Sequence, residues 1–344
     1  MSLIRTRGLI GLDPYEVTIE ASWERRSPEL QISGLPDHRT RETRVRVAAT
    51  LAANGHTGPF PEIVVSGYIG GPSAHFDLAI AAACIEERIA PDGETLFGEL
   101  SLAGEVRQVR GMLPLLAGCD APIVIPEANR AEVSRVRAGL AIDTFSDLCI
   151  SCGGRRFFAS APEIAFPERE TLGIVLVGAP GAGKTLIARS IAMGLGFRPN
   201  AETDAIYSAA GLLPDVGSVS RAPFRAPHHT VSKAGLVGGG EHVRPGEVSL
   251  AHRGVLFLDE FTDFRHDALD SLFRALRHGR VVIHRKGRDH SIPAKPAIVV
   301  AAAEESARLE QYLALYPLSP VPIEKGYLAR RAIAQAAVRN GGAR

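Results

Sequence analysis

The residues with the clearest chemistry are Gly178-Ala179-Pro180-Gly181-Ala182-Gly183-Lys184-Thr185, followed by Leu186. Their spacing fits G-x-x-x-x-G-K-[ST], a glycine loop whose backbone N–H groups cradle phosphates. The flanks suit that reading. Ile174-Val175-Leu176-Val177 is a short apolar run of the kind a buried parallel strand carries, and Leu186–Ala192 has a helical pattern. A helix N-terminus directly after the loop adds partial positive charge where a polyphosphate would sit. ATP is therefore the expected cofactor, bound over residues 178–186. Lys184 is expected to reach its β/γ-phosphates and Thr185 to hold Mg²⁺.

A second anchor is Gly254-Val255-Leu256-Phe257-Leu258-Asp259-Glu260. Four apolar residues predict a buried strand, and two carboxylates follow at its C-terminal end, where open α/β sheets place their chemistry. Asp259 is expected to bind Mg²⁺, directly or through water, and Glu260 to orient and deprotonate an attacking water. Lys184 and Glu260 are thus the expected catalytic pair. An acidic pair after a strand also suits an ordinary helix start, so the weight comes from its combination with the loop. The distance in sequence between Lys184 and Asp259 exceeds one βαβ crossover, which implies an insertion. That insertion includes Arg221–Gly240, RAPFRAPHHTVSKAGLVGGG. His228 and His229 are adjacent, so on a helix or strand they do not share a face as metal ligands. The segment is expected to be a structural loop, with a pore-facing or DNA-facing loop as the alternative.

Further elements must position these residues. Asp37–Ala53 predicts a helix closed by Asn54-Gly55, Glu62–Val65 a strand, and Phe76–Ile89 a helix stopped by Pro91-Asp92-Gly93. Leu96–Val109 predicts a hairpin turning at Ala103-Gly104, and Ile123–Ile125 a strand before a helix from Glu127. Residues 150–170 are rich in Gly, Pro and Ser and are expected to be a linker. Past the second anchor, Asp267–His278 predicts a helix, then Val281–Ile283 and Ala297–Ala303 two strands.

The chain has 344 residues, 45% of them hydrophobic, enough for two or three domains with real cores. Its formal charge of +1 leaves any nucleic-acid contact to a local patch or an assembled ring. Cys149 and Cys152 form a lone C-x-x-C, while Cys84 and Cys119 are isolated, so neither a disulfide framework nor a zinc site is expected. The N-terminus lacks the apolar core of a signal peptide, and the apolar stretch at Leu78–Ile85 is too short to cross a membrane. A cytoplasmic protein with no membrane partner is expected.

With these residues in hand, the chain resembles the ComM/YifB family of magnesium-chelatase-like AAA+ ATPases. The most specific stretch runs from PFRAPHH through LVGGG to RPGEVSLAHRGVLFLDE, Pro223–Glu260. SGLPD (Ser33–Asp37) with Arg41-Glu42-Thr43-Arg44, GPSAHFDLAIA (Gly71–Ala81) and FGELSLAGEVRQVRG (Phe97–Gly111) match segments of the family's N-terminal part. The resemblance covers roughly residues 1–148 and 172–303. It implies an α/β chain with a Lon-protease-like α+β domain over residues 1–150 and a linker over 151–170. A P-loop AAA+ αβα core follows over 171–305, and residues 306–344 match nothing. It also implies a homo-oligomer, a hexameric ring, with DNA as the partner in branch migration during recombination and transformation.

Gly71-Pro72-Ser73-Ala74 resembles the segment that carries Lon's nucleophilic serine. A Ser–Lys dyad needs a lysine to take the serine's proton. Of 39 basic residues only 5 are lysines, and the first is Lys184. Where Lon would supply the lysine, this chain reads Arg110-Gly111-Met112, and arginine does not deprotonate in proteins. No peptidase activity is expected.

Three departures from the family pattern matter. No D-V-x-G-Q-type motif precedes the loop strand. The strand that carries the family's sensor asparagine reads Ile298-Val299-Val300-Ala301-Ala302-Ala303-Glu304, without one. The family's helical lid, with its second sensor arginine, is not matched, which leaves Arg274 as the fallback for a contact across subunits. ATP binding with weak turnover is the expectation. Two alternatives stay open: a nucleotide-binding scaffold without motor activity, and a magnesium-chelatase motor subunit.

Overall fold

The computed structural model describes residues 2–85, 93–148, 156–158, 173–178, 183–195, 197, 199–240, 242–285, 287–302 and 319–322. The chain divides into two compact units, Met1–Ile164 with Ser208–Ser218, and Ala165–Tyr207 with Val219–Arg344.

The first unit is built on β1 (Ser2–Ile10), β2 (Asp13–Ser27), β3 (Gln31–Ser33), α1 (Asp37–Ala53), β4 (Phe60–Ser66), α2 (Asp77–Ala83) and β5 (Thr95–Leu96). It continues through β6 (Glu99–Leu100), β7 (Val106–Arg107), α3 (Met112–Leu115), β8 (Ile123–Pro126), α4 (Arg130–Val133), β9 (Gly139–Ile142) and β10 (Arg156–Phe158). Eight strands form one mixed sheet in the order β10-β9-β8-β5-β1-β2-β4-β3. Val17, Ile19 and Ala21 alternate along β2 onto one face, as the period of a strand requires. There they join Ile63 and Val65 of β4 and Val47 and Leu51 of α1.

The expected helix Asp37–Ala53 is α1, with Asn54 as its C-cap. The expected strand at Glu62–Val65 is the interior of β4, and β6 and β7 pair as the expected hairpin. Three expectations need correction. The helix expected from Phe76 to Ile89 is a 3₁₀ turn, Ala74–Phe76, running into α2, whose seven residues are all buried; residues 86–92 lie outside the described ones. The helix expected from Glu127 is a 3₁₀ turn followed by the four residues of α4. Within the stretch expected to be linker, β10 extends the sheet antiparallel to β9.

The second unit contains β11 (Gly173–Val177), α5 (Lys184–Gly194), most of α6 (Ala201–Ala210), β12 (Phe224–Arg225), α7 (Lys233–Val237), β13 (Gly238–Gly239) and β14 (Arg244–Pro245). It continues with α8 (Glu247–Leu250), β15 (Val255–Leu258), α9 (His266–His278), β16 (Arg280–Arg285), β17 (Arg288–Pro293), β18 (Ala297–Ala302) and β19 (Ser319–Pro322). A five-stranded sheet runs β12-β15-β18-β11-β19, and every neighbouring pair is parallel. Its strands are buried on both faces. Leu176, Val255, Phe257 and Val299 pack on one side with Ile187, Ala188 and Ile191 of α5. Val175, Leu256, Leu258 and Val300 pack on the other with Leu269, Leu272 and Phe273 of α9.

Two features of this unit differ from expectation. The Arg221–Gly240 stretch is not all loop: β12 and α7 lie in it, with β12 parallel to β15. A Cβ on Gly254 would fall 2.0 Å from the Pro223 carbonyl oxygen, so glycine is required where these two strands begin. Ser208–Ser218, expected in the nucleotide core, belongs to the first unit. Ser208 Oγ donates to Glu132 Oε2 at 3.0 Å and its carbonyl accepts from Gly111 N at 2.9 Å.

Candidate functional site

Parallel pairing brings the two sequence anchors to the same edge of the second unit's sheet. β11 lies between β18 and β19, β15 is the other neighbour of β18, and all four point the same way. Their C-terminal ends therefore face one side, where ligands of open α/β sheets bind. Gly178, just past β11, donates its N–H to the Ala302 carbonyl oxygen of β18 at 3.3 Å.

Residues 179–182, the middle of the glycine loop, lie outside the described residues. Both ends of the loop are described. Gly183 has φ +87 and caps α5, and a Cβ there would meet nothing within 4 Å. Backbone conformation, not crowding, makes that position a glycine. Lys184 starts α5 and donates from Nζ to the Gly178 carbonyl oxygen at 2.7 Å, so its side chain ties the start of α5 to the residue just past β11. Thr185 and Leu186 are exposed at the first turn, Leu186 by 71%. The turn stays in place because Ile187, Ala188, Ile191 and Ala192, one helical stripe, are buried against the sheet.

At the end of β15, Asp259 and Glu260 are both exposed. Glu260 has φ +50 and ψ +48, one of two described non-glycine residues in the left-handed region. Such a conformation costs on the order of 1–3 kcal/mol and persists where its surroundings impose it. Here Phe261 and Phe264, 0% and 1% exposed, pin the following 3₁₀ turn into the core. The Glu260 N–H donates to Asp259 Oδ1 at 3.0 Å. The strained turn holds the Glu260 carboxylate outward at the strand end.

One participant was misjudged from sequence. His229 Nδ1 lies 2.9 Å from Glu260 Oε2. The His229 ring stands edge-on to Phe264, with centroids 6.5 Å apart, and lies against His228 at 4.0 Å. Four residues after β12, it reaches Glu260 because β12 runs beside β15. The adjacency of the two histidines carried no signal of a carboxylate partner. His229, Glu260 and Asp263 offer ligand atoms within 4.8 Å of one another. Arg274 is exposed on α9.

The site's residue types fit a Mg²⁺–nucleotide. Thr185 offers an exposed hydroxyl at a helix N-terminus, Asp259 an exposed carboxylate at a strand end, and Lys184 a cation beside Gly178. Hard oxygen donors of this kind suit Mg²⁺.

Comparison with known proteins narrows the reading. Residues 159–309 match the family model "Magnesium chelatase, subunit ChlI", and residues 19–129 match "Subunit ChlI of Mg-chelatase". An uncharacterized protein of Mycobacterium tuberculosis is 34% identical, over 85% of this chain and 67% of its own length. The uncharacterized protein YifB of Salmonella typhimurium is 30% identical, over 88% of this chain and 67% of its own. The competence protein ComM of Haemophilus influenzae is 28% identical, over 88% and 68%. Among solved structures, a cryo-EM-based complex of the magnesium chelatase subunits BchI and BchD is 22% identical over 50% of this chain and 59% of its own. Its TM-score of 0.38 is too low to carry an argument.

Proposed function

The chain belongs to the ComM/YifB family of magnesium-chelatase-like proteins, and from that membership we propose that it is a Mg²⁺-dependent AAA+ ATPase of the ComM type, acting on DNA as a ring of identical subunits. The observation that supports it most is the shared sheet edge. Lys184, folded onto Gly178, and the Asp259–Glu260 pair stand at the C-terminal ends of parallel strands with one strand between them.

In this reading Lys184 and the N–H groups of the loop bind the phosphates. Mg²⁺ bound with ATP, held by Thr185 and Asp259, would neutralise phosphate charge. Glu260 accepts a proton from the attacking water. His229 occupies Oε2 of that carboxylate, which leaves Oε1 for the water. The strand β18 ends in Ala301 and Ala302, with Ala303 next in sequence, so no asparagine amide aligns the water. Turnover is accordingly slow beside a relative that has one. The same absence supports the second reading, a nucleotide-binding scaffold without turnover.

The domain reading keeps a Lon-like module over residues 1–150 and the ATPase core over 171–305, with a linker between. Ser73 does not support a peptidase. It is 1% exposed, and the side chain in reach is Arg39, whose Nη1 is 3.5 Å from Ser73 Oγ. Among the described residues no helix is long and apolar enough to cross a membrane.

Calorimetric titration with a slowly hydrolysed ATP analogue and Mg²⁺ tests the reading, with light scattering on the same samples. Binding by the native chain and its loss in Lys184→Ala are expected, with growth to a hexamer on binding. No binding by the native chain would remove the ATPase reading. A monomer throughout would favour the scaffold.

A further inference from the structure

The turn after β15 carries a donor set that phosphate chemistry does not require. Glu260 is the N-cap of the 3₁₀ turn Phe261–Asp263, and the Asp263 N–H donates to the Glu260 carbonyl oxygen at 2.8 Å. In a 3₁₀ turn, side chains three residues apart eclipse one another. The Glu260 and Asp263 carboxylates therefore come to the same side. A third donor arrives from another strand: His229, beyond the end of β12, brings Nδ1 to 2.9 Å from Glu260 Oε2. One ligand atom from each of His229, Glu260 and Asp263 lies within 4.8 Å of the other two.

Both sides of this set are anchored. Phe261 and Phe264, 0% and 1% exposed, hold the turn in the core. The His229 ring stands edge-on to Phe264. Arg265, the next basic residue along the chain, is forked onto Asp267 instead, with Nε at 3.0 Å and Nη2 at 3.3 Å from its two oxygens. The chemistry of the donors selects the ion. Mg²⁺ takes a near-octahedral shell of oxygens and keeps several waters. One imidazole with two carboxylates is instead a mixed nitrogen–oxygen set of the kind Zn²⁺ takes, and three protein ligands leave its fourth position to water. Other first-row divalent ions accept the same donors.

We propose that His229, Glu260 and Asp263 bind a divalent transition-metal ion of the Zn²⁺ class, and that this ion silences the nucleotide site by taking the carboxylate the attacking water needs. The metal replaces the proton on His229 Nδ1, which goes to solvent. Thr185 and Asp259, the residues assigned to Mg²⁺, are not in the set, so nucleotide uptake persists. The metal site stands without the ATPase reading, and only the silencing rests on it.

Calorimetric titration of the full chain with Zn²⁺ in excess Mg²⁺ tests the site, with Co²⁺ as a spectroscopic probe. The native chain should take up one ion at this site. Co²⁺ there should show visible d–d absorption without the near-ultraviolet charge-transfer band that cysteine thiolates give. His229→Ala and Asp263→Asn should each weaken Zn²⁺ binding by about 100-fold, the upper end of what even an outer-shell loss costs. Analogue binding in Mg²⁺ should match the native chain in both, which shows that they fold. Zn²⁺ should slow the native chain's turnover, and that slowing, taken relative to each variant's own turnover without Zn²⁺, should vanish in both. Native Zn²⁺ affinity in both variants overturns the proposal, as does a native chain whose Co²⁺ spectrum carries the thiolate band alone. Zn²⁺ bound at the site with native turnover unchanged overturns the silencing. A native chain that binds Zn²⁺ but fails to take up the analogue would instead count against the ATPase reading and leave the metal site supported.

Discussion

The two units place the polar groups at their motif-like segments in opposite ways. In the first, the titratable groups that follow Ser73 are buried and paired. Asp77, 0% exposed, is gripped by Arg46 through Nε at 2.5 Å and Nη2 at 3.3 Å. His75, 6% exposed, lies 2.8 Å through Nε2 from the Arg7 carbonyl oxygen. Asn129, Glu132 and Ser208 form a closed buried network. In the second unit the chemically capable groups, Thr185, Asp259 and Glu260, stand exposed at strand and helix ends, and Glu260 is held in a strained backbone. Buried and satisfied polar groups specify packing. Exposed ones on a rigid, strained mount are placed for a ligand. The likeness of Gly71–Ala74 to a nucleophile segment comes with a buried Ser73, and under the proposed function the chemistry lies in the other unit.

The largest expected effect tests the second half of that contrast. Glu260→Gln keeps the shape and one oxygen but cannot take a proton. Turnover should fall by about 10²–10⁴-fold, the usual contribution of a general base, while analogue binding stays within a few-fold. Turnover that survives unchanged would remove Glu260 from the chemistry.

The part of this contrast that lay in consecutive residues was legible in the sequence. The strands Gly173–Val177 and Val255–Leu258 and the helix that starts at Lys184 declare themselves because apolar runs, glycines and charges sit at fixed short spacing. Helix α1 matches its pattern end to end. What was not legible depends on neighbours distant in sequence. β12 is two residues long and is a strand because β15 lies beside it. The contact between His229 and Glu260 follows from that pairing. The β1–β2 hairpin, nine residues in register, is an exception, since its turn signal, Gly11 at φ +65 in a two-residue loop, is local and went unread. Ser208–Ser218 looks like core sequence, yet it belongs to the first unit, where its partners Glu132 and Gly111 stand far from it in sequence.

The next effect tests the buried half. Removing one partner of a buried ion pair leaves the other uncompensated, a cost of about 3–5 kcal/mol. Arg46→Ala should destabilise the first unit by that order at pH 8, read as lost hydrogen-exchange protection across α1 and α2. Burial pushes the Asp77 carboxyl up to about 6 despite Arg46. Protonation therefore relieves part of the cost, and the loss should be smaller at pH 5. Analogue binding by the second unit should be unchanged. A loss of protection equal at both pH values would mean that the charge of Asp77 is not what Arg46 offsets.

The smallest effect separates two opposed slopes within the same core. Burial depresses the His75 imidazole from 6.5 to about 4, with only the hydrogen bond to the Arg7 carbonyl oxygen acting against it. Folding therefore favours the neutral ring. Its contribution is complete above pH 6.5 and is lost as pH falls through 4. Asp77 runs the other way: its raised folded value makes its contribution complete below about 3.8 and lost as pH rises through 6. Between pH 4 and 6 the two partly cancel, so the native chain alone shows a shallow profile. His75→Gln keeps a donor for the Arg7 carbonyl oxygen and removes the titration. The variant should be less stable than the native chain at pH 7, through imperfect packing, and the gap should close steadily as pH falls from 6.5 to 4. Parallel profiles, measured by urea unfolding of the first unit's protected amides at each pH, would show that His75 is not held neutral by its burial.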